Sequence, residues 1–145
     1  MTDEPTFRIA TVADIEAMSR IRLAVTENSL SDPARITRQM YEDYLEELGR
    51  GWVAEHDGTV IGFAYASRAD GSVWALFVDP AHEGRGAARG LLKRVVTWLF
   101  ALGHARIHLT TEAGTRADRF YVAQGWTRGA VLDNGEIAFT LDISR

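Results

Sequence analysis

The spacing of apolar residues changes along the chain, and each change marks a predicted helix or strand. Apolar residues at helical spacing predict a first helix after a capping-box-like start at Thr11 and Asp14. This helix ends near the polar, turn-rich segment Glu27–Pro33. A second helix is predicted from about Thr37 and is stopped by Gly49. The two apolar stripes consist of Ile15, Met18, Ile21 and Val25, and of Met40, Tyr44, Leu45 and Leu48.

Three dipeptide turn signals separate short apolar runs and predict β-hairpins. They are Asp57-Gly58, Asp70-Gly71 and Asn134-Gly135, which supply the positive φ angles that tight hairpin turns require. The strands that they join are short and rich in β-branched and aromatic residues. These predicted strands are Trp52–His56, Val60–Ser67, Ser72–Asp79, Trp126–Leu132 and Glu136–Ile143.

The middle of the chain predicts a strand, a helix and a second strand that together form a parallel βαβ unit. A strand at residues 73–79 is followed by a helix at 86–102 with a wide apolar stripe, and then by a strand at 106–111. A last helix spans about Thr115 to Gln124. With Phe7–Ala10 as the first strand, the predicted order is β-α-α-β-β-β-α-β-α-β-β. This order predicts an α/β fold with a mixed, mostly antiparallel central sheet and helices on both faces.

Length, charge and cysteine content restrict the function classes. The 145 residues suit a single domain, 1–145, and the net charge of −4 argues against a generic nucleic-acid or anionic-membrane binder. Without cysteine there is no disulfide framework, thiol nucleophile or thiolate metal site, and no metal site is expected. The N-terminal sequence MTDEPTF has no signal pattern, and no apolar run approaches a membrane span. A cytoplasmic protein is the expectation.

The segment Glu83–Ala88 joins a predicted strand to a predicted helix and is rich in small residues. Its backbone N–H groups are not covered by bulky side chains, and together with the helix dipole they favour an anion. The segment has neither the lysine-hydroxyl pair of a P-loop nor the downstream acid of a dinucleotide fingerprint. An ordinary strand-to-helix turn is the alternative. Further positive charge comes from Arg85, Arg89, Lys93 and Arg94.

This segment, Glu83-Gly84-Arg85-Gly86-Ala87-Ala88, resembles the acetyl-CoA loop Gln/Arg-x-x-Gly-x-Gly/Ala of the GNAT superfamily of N-acetyltransferases. Glu83 departs from the pattern, because the family has Gln or Arg there. A second segment, Ala117-x-x-Phe120-Tyr121-x-x-x-Gly125-Trp126, is similar to the family's Ala-x-x-Leu/Phe-Tyr-x-x-x-Gly-Phe. The family often has Asn where this chain has Gly114. The predicted element order matches the family fold over nearly the whole chain.

The resemblance implies an N-acetyltransferase that uses acetyl-CoA as acyl donor and a primary amine as acceptor. Tyr121 would act as general acid toward the leaving thiolate, although spacing alone favours a core aromatic. Glu112 and Glu27 are candidates for the base that accepts the amine proton, whereas a structural role is expected for His82. The strand backbone at Phe77 and Val78 would bind the pantetheine arm. The loop implied for the CoA pyrophosphate comprises Glu83, Gly84, Arg85, Gly86, Ala87, Ala88 and Arg89.

Acidic residues outnumber basic ones in the region of the first two helices, which borders the acceptor pocket in this family. An acidic entrance would attract a cationic amine, and Glu27, Asn28 and Asp32 are the pocket candidates. For the acids at 42–47, a solvated helix face is at least as good an interpretation. For Arg116 and Arg119 a solvated face is favoured, and contact with the nucleotide 3′-phosphate is the alternative.

Three functional interpretations remain open. The first is an N-acetyltransferase of a small molecule or peptide amine, and the second is a non-catalytic acyl-CoA sensor on the same fold. The third is an α/β interaction module without a cofactor. Tyr121 favours the first over the second. The acceptor, the length of the acyl group and a homodimeric state are not decided by the sequence.

Overall fold

The computed structural model describes residues 4–25, 38–45 and 47–143. Seven strands in these ranges form one sheet in the order β1-β2-β3-β4-β5-β7-β6. The strands are β1 (Thr6–Ile9), β2 (Gly49–His56), β3 (Thr59–Ser67), β4 (Ser72–Val78), β5 (Arg106–Glu112), β6 (Thr127–Val131) and β7 (Glu136–Asp142). The helices are α1 (Ile15–Ala24), α2 (Arg38–Asp43), α3 (Ala87–Ala101) and α4 (Arg116–Ala123).

The sheet separates two apolar layers, as the order of elements predicts. Residues of α3 and α4 pack in one buried cluster on one face, and residues of α1 and α2 pack in a second cluster on the other. β4 and β5 are parallel, whereas the other neighbouring strands pair antiparallel. The predicted mixed α/β fold and its parallel βαβ unit are confirmed.

The three predicted hairpins are confirmed, but only Asp57-Gly58 has a positive φ at both residues, whereas at Asp70-Gly71 and Asn134-Gly135 only the glycine does. Asp57 and Gly58 have φ angles of 52° and 78°, so both residues of this turn are left-handed, as a type I′ hairpin requires. At the start of α1, the Thr11 N–H donates to Asp14 Oδ2 at 2.8 Å. This bond satisfies one of the backbone donors that a helix start leaves open.

The prediction for the second helix is wrong at its C-terminal end. α2 ends at Asp43, and Gly49 does not stop a helix but begins β2. A side chain at Gly49 would collide with the carbonyl oxygen of Ala66 on the neighbouring strand, so glycine is required by close approach within the sheet. Leu48, predicted in the apolar stripe, is 44% exposed, and Tyr41 is buried instead. The predicted start at Thr37 lies outside the described residues.

Candidate active site

The site is created where the two parallel strands separate. β4 and β5 are in register only at Ser72 and His108, next to a 3.1 Å hydrogen bond from the His108 N–H to the Gly71 carbonyl. Beyond this point the strands diverge, and a cavity of about 970 Å³ opens between residues 74–78 and 108–111. A volume of this size is at the upper end of the range for small-molecule sites.

A β-bulge lies in the wall formed by β4. Tyr65 is opposite Ala75 while Ala66 is opposite Val73, so Trp74 is an extra residue without a cross-strand partner. Bulges bend the strand that carries them, and this one precedes the part of β4 that diverges from β5. The Trp74 ring stacks on Tyr65 with centroids 4.7 Å apart and also lines the cavity. Its buried indole Nε1 has no hydrogen-bond partner among the described residues.

The alternation of β4 decides which backbone groups face the cavity. The Asp79 N–H donates to the Ile61 carbonyl at 2.7 Å, so the backbone of every second residue, including Phe77, points toward β3. The N–H and C=O groups of Leu76 and Val78 therefore point toward β5, across the open gap. This geometry is consistent with the prediction for Val78, whereas the Phe77 backbone is paired with β3. Phe77 also lines the cavity.

The glycine loop after β4 forms one end of the cavity. Gly84 and Gly86 have φ angles of 83° and 84°, and a Cβ added to either would meet no atom within 4 Å. The space above both residues is therefore open. Gly86 is the N-cap of α3, so the loop and the first turn of the helix expose unpaired amides at one place. These residues fit a phosphate-bearing ligand.

Most of the predicted donor-binding residues share the cavity. Glu83, Gly84, Gly86, Ala87, Ala88 and Arg89 all line it. Arg85 is the exception, because its side chain lies against the β2–β3 hairpin. Its Nη1 is 3.5 Å from Nε2 of His56, and Arg85 is not part of the cavity wall.

Tyr121 belongs to the core and to the cavity at once. It is 5% exposed, and its ring contacts Phe120, Trp126 and Phe139. It also lines the cavity. Burial raises the pKa of Tyr121 above that of a free phenol, so this hydroxyl remains protonated at neutral pH. The two interpretations of Tyr121 from the sequence are therefore compatible.

A hydrogen-bonded ion pair fixes the helix that carries Tyr121. Arg128 on β6 donates from Nε and Nη2 to the two carboxylate oxygens of Asp118, at 2.9 and 3.0 Å. The Gly114 N–H donates to Asp118 Oδ2 at 2.9 Å, which ties the preceding loop to the same carboxylate. The Arg128 guanidinium holds the pKa of Asp118 below its ordinary value. These bonds set the position of α4 relative to the sheet.

Glu112 stands directly opposite a second carboxylate that the sequence analysis did not identify. Glu112 and Glu136 are cross-strand partners in the antiparallel β5–β7 pair, so their side chains share one face of the sheet. This face is opposite to the one on which Leu109 and Thr111 are buried. Glu136 lines the cavity, whereas Glu112 does not belong to its wall. No sequence pattern could reveal this pairing, because it depends on the register between distant strands.

The predicted acceptor residues Glu27, Asn28 and Asp32 lie outside the described residues. Near them in the sequence, Arg22, Val25 and Met40 line the cavity from the side of α1 and α2. Arg22 is 5% exposed, and its guanidinium carbon lies 5.4 Å from the centroid of the Phe77 ring. The cavity therefore extends from the glycine loop to the α1–α2 face.

Residues 4–25, 38–45 and 47–143 hold neither a candidate metal site nor a candidate membrane-spanning helix. No group of three or more His, Cys, Asp or Glu side chains in these ranges is arranged to hold a metal ion. None of the helices in the same ranges has the length and apolar character needed to cross a membrane.

Comparison with protein families gives one match over most of the chain. The model of the acetyltransferase (GNAT) family matches residues 15–126. An uncharacterized N-acetyltransferase of Mycobacterium tuberculosis is 30% identical over 98 residues, which are 64% of this chain and 63% of the relative. The mycothiol acetyltransferase of Propionibacterium freudenreichii is 31% identical over 96 residues, which are 61% of this chain and 31% of that protein. The chain thus spans less than two thirds of the curated relatives it matches.

Solved structures resemble nearly the whole fold at low sequence identity. Ard1 of Thermoplasma volcanium superimposes with a TM-score of 0.78 at 20% identity, covering 97% of this chain and 99% of that one. The yncA protein of Salmonella typhimurium, solved with its cofactor acetyl-CoA, gives a TM-score of 0.74 at 22% identity and covers 97% and 94%.

Proposed function

The chain belongs to the acetyltransferase (GNAT) family, and on this premise we propose that it transfers the acetyl group of acetyl-CoA to a primary amine of a small molecule or peptide. The observation that carries the proposal is the cavity between β4 and β5. It has the amides of the glycine loop at one end, and Tyr121 in its wall. A donor with a phosphate group at one end and a thioester at the other matches this arrangement.

The donor is held largely by backbone groups. The open N–H groups of Gly84, Gly86 and Ala87 donate to the pyrophosphate oxygens, and the N-terminus of α3 favours the negative charge of these oxygens. The edge of β4 offers the Leu76 N–H and the C=O groups of Leu76 and Val78 to the amides of the pantetheine arm. Because these contacts are made by the backbone, Glu83 can replace the family's Gln or Arg without removing them.

The reaction is a direct attack of the amine on the thioester carbonyl. An alkylamine of lysine type has a pKa of about 10.4 and must lose a proton before it attacks. Glu112 and Glu136 lie opposite each other on β5 and β7. Among the described residues, their carboxylates are the proposed acceptors of the amine proton, directly or through water. Glu27, Asn28 and Asp32 remain proposed contacts of the acceptor. The Val78 N–H is proposed to stabilise the oxyanion that forms.

The thiolate must then leave beside Tyr121, whose surroundings are buried and aromatic. A thiolate that departs there without a proton carries an unfavourable desolvated charge. Tyr121 retains its proton at neutral pH, because burial raises its pKa, and it can donate to the sulfur. Tyr121 is therefore proposed as the general acid.

A thiol-release assay with acetyl-CoA and a panel of amines, including peptides, tests the proposal. The expected result is stoichiometric formation of acetylated amine and free CoA thiol with at least one member of the panel. A thermal shift with CoA measures binding independently of turnover. Binding without turnover on any amine would favour an acyl-CoA sensor, and the absence of binding would show that the proposed function is wrong.

A further inference from the structure

Two oppositely charged side chains connect the walls of the cavity at its phosphate end. Glu83 belongs to the loop that follows β4, and Arg116 is the first residue of α4, which follows β5. Arg116 Nη1 donates to Glu83 Oε2, and both residues line the cavity. The pair therefore joins the two diverging strands through the segments that follow them.

The position of this pair matters more than its contribution to stability. The Arg116 side chain is 60% exposed and the Glu83 side chain is 40% exposed. Exposed ion pairs contribute little to the stability of the fold. Glu83 immediately precedes Gly84 and lines the same cavity, so it brings a negative charge to the loop where the donor phosphate is proposed to bind. That charge opposes a phosphate unless a cation neutralises it, and Arg116 is the cation in contact with it.

We propose that Arg116 binds a phosphate group of acetyl-CoA, and that Glu83 is a positioning residue that holds the Arg116 guanidinium at the entrance of the cavity. The inference rests on the proposed function. A guanidinium presents several N–H donors in a planar fork that matches phosphate oxygens, so it can contact Glu83 and a phosphate together. Glu83 thereby holds Arg116 of α4 at the loop position where the family has Gln or Arg.

Arg119 provides a matched control on the same helix. It lies three residues after Arg116, but its Nη1 donates to the Gly114 carbonyl at 3.2 Å and it does not line the cavity. The two arginines carry the same charge and differ in their relation to the cavity. A general effect of positive charge near the donor would appear in both variants, whereas a phosphate contact would appear only at Arg116.

Calorimetry with CoA, 3′-dephospho-CoA and pantetheine tests the inference. Arg116→Gln is expected to weaken CoA binding about tenfold, the effect of one lost charge-assisted hydrogen bond. Arg119→Gln should change it less than about twofold. Pantetheine, which has no phosphate, should bind both variants like the wild type. A loss that persists with 3′-dephospho-CoA assigns Arg116 to the pyrophosphate, and a loss that disappears assigns it to the 3′-phosphate.

The role of Glu83 is tested by combining the two substitutions. In Arg116→Gln the Glu83 carboxylate remains beside the phosphate without its cation, so adding Glu83→Gln should restore CoA affinity by about threefold or more. The dependence of affinity on salt should also be weaker in Arg116→Gln than in the wild type. Melting curves of each variant, expected to be close to wild type, show that the protein is folded.

Three results overturn the inference. If Arg116→Gln affects CoA no more than Arg119→Gln, or weakens pantetheine equally, Arg116 does not contact phosphate while the proposed function stands. If the wild-type protein binds none of the three ligands, the proposed function and this inference fail together.

Discussion

The ring of Tyr121 on α4 packs against the ring of Phe139 on β7, with the two centroids 5.5 Å apart. This contact anchors the aromatic body of Tyr121 in the core while the residue also lines the cavity. The hydroxyl that we propose as the general acid thus belongs to a ring whose packing a Phe would retain. The ring and the hydroxyl can therefore be tested separately.

Replacing Tyr121 with Phe should slow turnover without disturbing the fold. The ring contacts remain, but the proton donor for the leaving thiolate is lost. We expect kcat to fall by about 10²–10⁴-fold, the range for loss of a general acid, with little change in acetyl-CoA affinity. Steady-state kinetics, calorimetry and a melting curve measure the three quantities. A kcat close to wild type would show that water or the substrate protonates the sulfur.

Tyr65 supplies the control for this experiment. Its hydroxyl donates to the Tyr41 carbonyl at 3.2 Å, and it is fully buried outside the cavity wall. Tyr65→Phe removes a buried hydrogen bond and should lower stability by about 1 kcal/mol with kcat unchanged. Tyr121→Phe is therefore expected to lower kcat with stability retained, and Tyr65→Phe to lower stability with kcat retained.

An acidic side chain at Gly86 should prevent donor binding. Gly86→Glu introduces a bulky anion at the N-cap of α3, where the phosphate is proposed to bind. We expect acetyl-CoA affinity, measured by calorimetry, to fall about 100-fold or more. Gly86 has a left-handed φ of 84°, so any side chain also strains the backbone.

A matching substitution at Gly103 tests whether backbone strain alone explains the loss of affinity expected in Gly86→Glu. It has a φ of 107°, with no atom within 4 Å of an added Cβ, and lies after the opposite end of α3. Gly103→Glu should lower the melting temperature to a similar degree and leave donor affinity unchanged. Unchanged affinity in Gly86→Glu would remove the glycine loop from the donor site.

Gly114→Asn should improve donor binding, because it introduces the amide side chain that the family often has at this position. The φ of Gly114 is 82°, and no atom lies within 4 Å of an added Cβ. Asn tolerates this left-handed conformation better than other residues with a side chain. We expect acetyl-CoA affinity to rise by about threefold to tenfold, as one added hydrogen bond would give. Gly114→Ala, which adds a Cβ without an amide, should give no gain, and equal affinities in the two variants would contradict the prediction.

The proposed proton acceptors are tested with Glu136→Gln and Glu112→Gln. Each should lower kcat/KM for a cationic amine, and we expect the larger loss, about tenfold or more, at Glu136, because its side chain lines the cavity. Glu42→Gln, on α2 and paired with Arg38, is the control outside the cavity wall. If neither cavity-side variant differs from Glu42→Gln, the proton acceptor is elsewhere.

The Asp118–Arg128 pair predicts a pH-dependent component of stability. Because pairing with Arg128 lowers the pKa of Asp118, the pair stabilises the fold above about pH 4 and this contribution is lost as pH falls through the lowered pKa. Asp118→Asn should therefore reduce the melting temperature at neutral pH, and the difference from wild type should shrink in acid. Asp142→Asn, in the exposed pair with Arg106, should cost much less. A pH-independent difference at Asp118 would show that charge is not the cause.

The sequence by itself determined the elements and the glycine loop. Some features are local, because each depends on the φ preferences and side chains of neighbouring residues. They are the period of the apolar residues, the hairpin turns at Asp57-Gly58 and Asn134-Gly135, and the loop Gly84–Ala88. The predicted order of strands and helices followed from these signals alone. A local signal misled at Gly49, because a glycine after a helical pattern can either stop a helix or allow a close approach of strands. Here it allows the close approach of the Ala66 carbonyl in the sheet.

Only the tertiary structure decided how distant residues share the site. The strand containing Leu76 and Val78 exposes these amides, and not that of Phe77, because its register with β3 fixes which edge is already paired. Glu112 meets Glu136 through the register of β5 and β7. Arg116 reaches Glu83 because the segments that follow two diverging strands come together again. Leu76 is 12 positions from its partner Ala64, Glu112 is 24 positions from Glu136, and Arg116 is 33 positions from Glu83. No local preference encodes a register or a divergence between strands.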